Sequence, residues 1–199
     1  MDKIREFHPI IIVFMEIHMK SDIITSADNT MQPEYSSSER REKAVEGMQF
    51  VEFMLGHECY AINLFHTREV ITPNEITPLP GASPYVKGMM DLRGSITTII
   101  DLKKMMNITS ESGLKHRSRI IILDQEFMEK PLGILVDDVS SVSTYRLSDI
   151  DKETKNDSNN VRYISGVIKK TVPDEKKENH NFILWLNIFH MMDSIKQDF

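Results

Sequence analysis

The chain has 199 residues, 40% of them hydrophobic and 27% charged, which suits one or two small soluble domains with a real core. Its net charge of -6 excludes general affinity for nucleic acid or anionic membrane. The longest apolar run, Ile10 to Met15, is six residues, far short of the roughly 20 that span a bilayer. The single cysteine, Cys59, rules out an intrachain disulfide and fits a reducing cytoplasm.

In chain order, residues 1–47 come first and differ from the rest. After the short apolar run, Ser21 to Glu46 is polar and aperiodic, so this part reads as a disordered leader, or as sequence ahead of a true start at Met19 or Met31. From Met48 the texture changes to short strands. Phe50, Glu52 and Met54 alternate with Val51, Phe53 and Leu55, then Gly56-His57-Glu58 turns the chain into Cys59 to Leu64, the pattern of a hairpin. Pro73, Pro78, Pro80 and Pro84 mark a loop, and Ser83-Pro84 predicts the cap and first position of a short helix. Next comes Tyr85 to Leu102, where Gly94 can take φ > 0 and Ser95 to Ile100 alternates Ile96, Thr98 and Ile100 on one face. Arg93 therefore stands at a tight turn before a strand, where a charged residue is ordinarily just solvated.

Arg119 to Asp124 predicts a strand, Gln125 to Lys130 a polar turn, and Pro131 to Val136 the return strand. Asp151 to Asn160 is acidic and amide-rich, a loop. Ile183 to Leu186 predicts the last strand, and Asn187 to Ile195 a helix with Ile188, Met191, Met192 and Ile195 on one face. An internal echo runs through these elements. Tyr60-Ala61-Ile62 followed by Val70 is matched by Leu132-Gly133-Ile134 followed by Val142. Asp101-Leu102-x-x-Met105-Met106 is matched by Asn187-Ile188-x-x-Met191-Met192, and Gly88 by Gly166. Duplicated units of about five short strands each predict two small barrels, which remove their edges by closure.

Chemistry-bearing motifs are few. Asp137-Asp138 does not form an acid pair on a strand, because neighbours point to opposite faces; a turn with one solvated carboxylate is the expectation. His57-Glu58-Cys59 lacks the second His of a zinc protease, which leaves Cys59 as a small buried hydrophobe. Asp149-x-Asp151-x-Glu153 lacks the Gly and the final Glu of a calcium loop. No nucleotide fingerprint or nucleophile elbow is present. No catalytic residue, metal site or cofactor is expected, and a small β-barrel enzyme lacks the cluster of titratable residues that it needs.

In order, Tyr60-Ala-Ile-Asn-Leu, Arg68-Glu-Val-Ile, Tyr85-Val-Lys-Gly, Asp91-Leu-Arg-Gly, Ile99-Ile-Asp-Leu, Leu132-Gly-Ile-Leu-Val-Asp-Asp-Val, Ile164-Ser-Gly and Ile183-Leu-Trp-Leu-Asn-Ile resemble the CheW family of chemotaxis coupling proteins. The resemblance implies an all-β fold of two SH3-like five-stranded β-barrels with short helices over residues 48–192, leaving 193–199 as a tail. It implies a non-catalytic adaptor, cytoplasmic and recruited to membrane-associated arrays. The adaptor would join the cytoplasmic tip of methyl-accepting chemoreceptors to the regulatory domain of a CheA-type histidine kinase.

Carried over by the same resemblance, the receptor helix tip would lie in an apolar groove lined by Leu64, Ile96, Ile120, Leu132 and Val139, with Arg93 fixing polar groups beside it. Without the family, each of those five apolar residues reads as core. Glu69 matches an acidic kinase contact, and Thr67 stands where the family often has an aliphatic kinase-binding residue. An alternative is a scaffold of the same type in a non-chemotactic receptor–kinase pathway. Because only seven residues follow Met192, a fused response-regulator domain is not expected.

Overall fold

The computed structural model describes residues 47–110, 117–124, 130–152, 163–172 and 179–196. The leader, most of the 125–130 turn and of the 151–160 loop, and residues 197–199 lie outside the described residues. Strand formation begins where the sequence becomes aromatic and β-branched: β1 (Gly47–Leu55) turns through Gly56 into β2 (Glu58–Asn63). A one-turn 3-10 helix (Leu64–His66) leads to β3 (Thr67–Ile71), and the proline-marked loop to β4 (Val86–Leu92) and β5 (Ser95–Asp101). The short helix α1 (Leu102–Met105) closes the first half. The second half runs β6 (Arg119–Leu123), β7 (Leu132–Val136), β8 (Asp138–Arg146), β9 (Ile150–Asp151), β10 (Ile164–Val172), β11 (Asn179–Leu186) and helix α2 (Ile188–Lys196). Residues 193–196, assigned to the tail, continue α2 and bury Ile195.

Two sheets result, ordered β3-β6-β7-β5-β4 and β8-β1-β2-β11-β10-β9. The halves of the chain are therefore not the sheets. The β1–β2 hairpin of the first half sits among strands of the second, and the β6–β7 hairpin of the second sits among strands of the first. The sequence predicts five strands per unit; the second sheet gains a sixth, the two-residue β9.

The echo in the sequence is an echo in register. In one sheet β5 pairs parallel to β7, with Thr98 opposite Leu132 and Ile99 opposite Gly133. In the other, β11 pairs parallel to β2, with Leu184 opposite Tyr60 and Trp185 opposite Ala61. Asp101 and Asn187 then occupy matching places, and each accepts a backbone N–H three residues on, from Lys104 at 3.2 Å and His190 at 3.1 Å. Each donates its own N–H at 2.7 Å, to Tyr85 O and Tyr163 O. Gly88 and Gly166 both sit at a shift in register. A Cβ on either would overlap a backbone carbonyl, that of Thr77 or that of Asp151, so glycine is required where the neighbouring segment approaches this closely.

Ser83-Pro84 does not start a helix. Val86 N–H bonds Ser83 O at 2.8 Å, so Pro84 occupies the second position of a tight turn, where its fixed φ serves equally well. Each sheet has its own core. Phe50, Ala61, Tyr145, Ile150, Ile168 and Ile183 fill one, with Trp185 edge-on to Phe50 at 5.3 Å; Met90, Ile99, Ile120 and Ile122 fill the other. Both helices bury the matched methionines, Met105 and Met106 after β5, Met191 and Met192 after β11. Each buried Ile or Leu contributes about 1.5–3 kcal/mol of transfer free energy, so these clusters, rather than the polar surface, hold the frame on which the site stands.

Candidate functional site

The entrance to β3 is built locally. Asn63 Oδ1 accepts the Phe65 N–H at 2.9 Å, and Thr67 donates its hydroxyl to Leu64 O at 2.7 Å, closing the 3-10 turn from both ends. Leu64 and Thr67 are buried by this arrangement while Phe65 is 76% exposed. Thr67, expected at a kinase contact, is thus the residue that shapes the turn from within. An aliphatic side chain there would fill the space and leave Leu64 O without this donor.

Across the same sheet, Arg93 and Gly94 form the two-residue β4–β5 loop with φ of 53° and 85°, the geometry that suits the twist of a hairpin. Asp91 Oδ1 accepts the Gly94 N–H at 2.6 Å. A left-handed non-glycine residue costs about 1–2 kcal/mol, so holding Arg93 there trades backbone strain for direction. Its Nη2 meets Glu69 Oε2 at 3.0 Å, with side-chain exposures of 78% and 22%. The resemblance assigned these two residues to different partners; the structure makes them one ion pair. So exposed a pair adds no more than about 1 kcal/mol, which leaves both groups free to exchange partners.

The apolar set divides. Ile96, near the start of β5, is 61% exposed, whereas Leu64, Ile120, Leu132 and Val139 are at most 5% exposed. Ile120 belongs to the core of its sheet, and Gly133 leaves room for it, since a Cβ there would stand 2.7 Å from Ile120 Cγ2. Ile96 and Arg93 are therefore the open members of the receptor set.

Two matching corners of the fold differ sharply. After β7, Asp137 Oδ2 accepts the Gly56 N–H at 2.8 Å and meets Lys103 Nζ of α1 at 3.2 Å, while the Asp137 N–H bonds Met54 O at 3.1 Å. Asp138 faces Arg117 at 3.8 Å. The expectation of a solvated carboxylate in this turn is corrected: both side chains are about one-fifth exposed, and each has a cation. In the parallel-register match, Phe65 takes the place of Asp137 and Phe189 of α2 the place of Lys103. There the rings of His66 and Phe189 meet edge-to-face at 5.1 Å, with Phe189 49% exposed. Burial holds His66 below the usual imidazole range. Phe65 and Phe189 are site candidates that reading the sequence missed.

A buried polar group stands apart from these surfaces. Glu52, 1% exposed, accepts the Tyr145 hydroxyl at 2.5 Å and meets Lys170 Nζ at 2.8 Å. Burial alone would raise its pKa, but hydrogen bonds from Lys170, Ser143 and Tyr145 outweigh it and hold the carboxyl below its usual range. Cys59 is half-buried, and burial, with the Glu52 charge nearby, pushes its thiol up to about 11. Few thiolates exist at neutral pH, so the residue is a packing group rather than a nucleophile. Among the described residues no cluster of His, Cys, Asp and Glu could hold a metal ion, and no helix is long and apolar enough to cross a membrane.

The geometry matches known proteins along most of its length. The family model described as CheW-like domain matches residues 49–196. A chemotaxis protein CheW of Treponema pallidum is 31% identical over 129 residues, 63% of this chain and 75% of its own length. That of Helicobacter pylori is 26% identical over 170 residues, 84% of this chain and 93% of its own. The crystal structure of the scaffolding protein TtCheW from Thermoanaerobacter tengcongensis superposes with a TM-score of 0.61 at 26% identity, over 76% of this chain and 91% of that one.

Proposed function

We infer that this chain, which belongs to the CheW-like domain family and serves as a chemotaxis scaffold, couples its partners through groups on the five-stranded sheet and at its two crossings into the six-stranded one. The family couples chemoreceptors to the kinase CheA. In this reading the receptor's cytoplasmic tip engages Ile96 and Arg93, with Leu64, Ile120, Leu132 and Val139 supporting the groove from beneath. The kinase regulatory domain engages Glu69 and the turn that Thr67 closes, with Phe65 as the aromatic anchor beside it. The chain itself catalyses nothing: it holds the two partners in one geometry within a membrane-associated array.

The observation that carries this reading is the Arg93–Glu69 ion pair at 3.0 Å. A receptor group that draws on the Arg93 guanidinium loosens Glu69, and Glu69 is the kinase-side carboxylate. The coupling needs no tight interface: a Kd of about 1 μM corresponds to roughly 8 kcal/mol, and assembly into an array multiplies weak contacts.

Calorimetric titration of the full chain with a CheA-type regulatory domain tests it. Saturable binding is expected for the parent, with a loss of at least about tenfold in Glu69→Arg, since a like or unpaired charge at an interface costs about 1.4 kcal/mol or more. The exchanged pair Glu69→Arg with Arg93→Glu would restore the ion pair without restoring the kinase contact. Full binding by that double variant would show that Glu69 acts only inside the fold.

A further inference from the structure

We propose that Asp137 is a positioning residue for signal transfer, fixing the two sheets in the one relation through which a receptor's change reaches the kinase. The inference rests on the adaptor reading above. It starts from the path of the chain: β7 belongs to the five-stranded sheet and ends at Val136, and β8 belongs to the six-stranded sheet and starts at Asp138. Asp137 alone makes the crossing. A single residue carries two soft backbone dihedrals, so the angle between the sheets at this point depends on what else holds it.

Three partners hold it, and they reach both sheets. The carboxylate takes the Gly56 N–H of the β1–β2 turn, in the six-stranded sheet, at 2.8 Å. It takes Lys103 Nζ of α1, which continues the five-stranded sheet, at 3.2 Å. The Asp137 N–H bonds Met54 O on β1 at 3.1 Å. The segment after α1 closes in as well, because a side chain on Gly56 would overlap Ser110. At the matching crossing between β2 and β3 the arrangement differs: a three-residue turn spans the gap, and the Phe65 N–H bonds locally to Asn63. The β7–β8 crossing is thus fastened by a carboxylate that reaches both sheets. A scaffold whose sheets could rotate at both would still bind each partner on its own surface, but it would lose the relation between them. None of its bonding partners, Gly56, Lys103 and Met54, is a residue assigned to either proposed binding surface, so its removal separates binding from transfer.

The test uses the full chain with Asp137→Ala and Asp137→Asn, the second of which keeps an acceptor for Gly56 while losing the charge for Lys103. Amide exchange at Gly56, affinity for each partner separately, and receptor control of kinase autophosphorylation in reconstituted membranes are read in parallel. For Asp137→Ala, Gly56 exchange is expected to rise about tenfold or more and receptor control to fall about fivefold, with each affinity within about threefold of the parent. Asp137→Asn is expected between the two, and carries the test if the alanine variant does not fold. Parental control despite raised exchange overturns the proposal. So does a fall in affinity that accounts for the loss of control, which would make Asp137 merely structural. A parent that binds neither partner is a different result: it removes the adaptor reading, and the inference with it.

Discussion

The corner after β7 and the corner after β2 are built on one backbone plan and finished in opposite ways. Asp137 and Lys103 meet about one-fifth exposed and satisfy a turn of the other sheet as well. At the matching places Phe65 and Phe189 stand 76% and 49% exposed. A corner closed on itself has nothing left to offer a partner, whereas two aromatic rings in water keep their transfer free energy in reserve. The fold lays out the same framework twice, and the side chains divide the work between holding and presenting.

The comparison can be broken most severely at the closed corner. Gly56 has φ of 62° and no room for a Cβ against Ser110, so Gly56→Val should cost about 3 kcal/mol or more by urea denaturation. A cost below about 1 kcal/mol would mean that the closed corner is loose. The contrast extends to the interiors, because Glu52 of the six-stranded sheet is the one carboxylate counted among the buried polar residues described. Its folded pKa lies below the ordinary glutamate range. The stability that it adds is therefore complete above the unfolded pKa and is lost as pH falls through the folded one. Glu52→Gln should lose about 2 kcal/mol at pH 7 and flatten the acid limb of the stability curve below pH ~4.5; an unchanged limb would remove Glu52 as its source. The gentlest experiment sharpens the comparison by building one corner into the other. Phe65→Asp with Phe189→Lys should shift stability by no more than about 1 kcal/mol, because the pair would be partly exposed. It should weaken kinase binding by about tenfold or more if Phe65 is an anchor, and unaltered binding would leave Phe65 as surface alone.

Much of this frame was legible because duplication writes its pattern twice. The match of Asp101 with Met105-Met106 to Asn187 with Met191-Met192 marks two corresponding segments; a helix was legible only in the second, and both segments turn from strand into helix. Less could be read where composition and environment disagree. Strand β8 reads Asp-Val-Ser-Ser-Val-Ser-Thr-Tyr-Arg, a serine-rich run that resembles a loop until β1 pairs with it. The exchange of hairpins was not readable, since either pairing satisfies the same local patterns. At the site, the relations between residues were not readable. Arg93 and Glu69 lie 24 residues apart, and nothing in either segment reports that a left-handed turn aims one at the other. Phe65 left a faint signal, an aromatic two residues after the strand-ending Asn63 in a segment too short for an α-helix.

The exchanged hairpins have a consequence for how the molecule comes into being. Cut after α1, the first half would hold β1 and β2 without β8, β10 or β11 beside them, and the second half would hold β6 and β7 without β3 or β5. Neither half encloses a core alone, so folding waits for pairings distant in the chain, which is slow and strongly cooperative. Two identical ancestral halves, each lending its hairpin to the other, would assemble the same pair of sheets as a domain-swapped dimer. On that view the segment between α1 and β6 did not create the architecture; it tied together two chains that already needed one another.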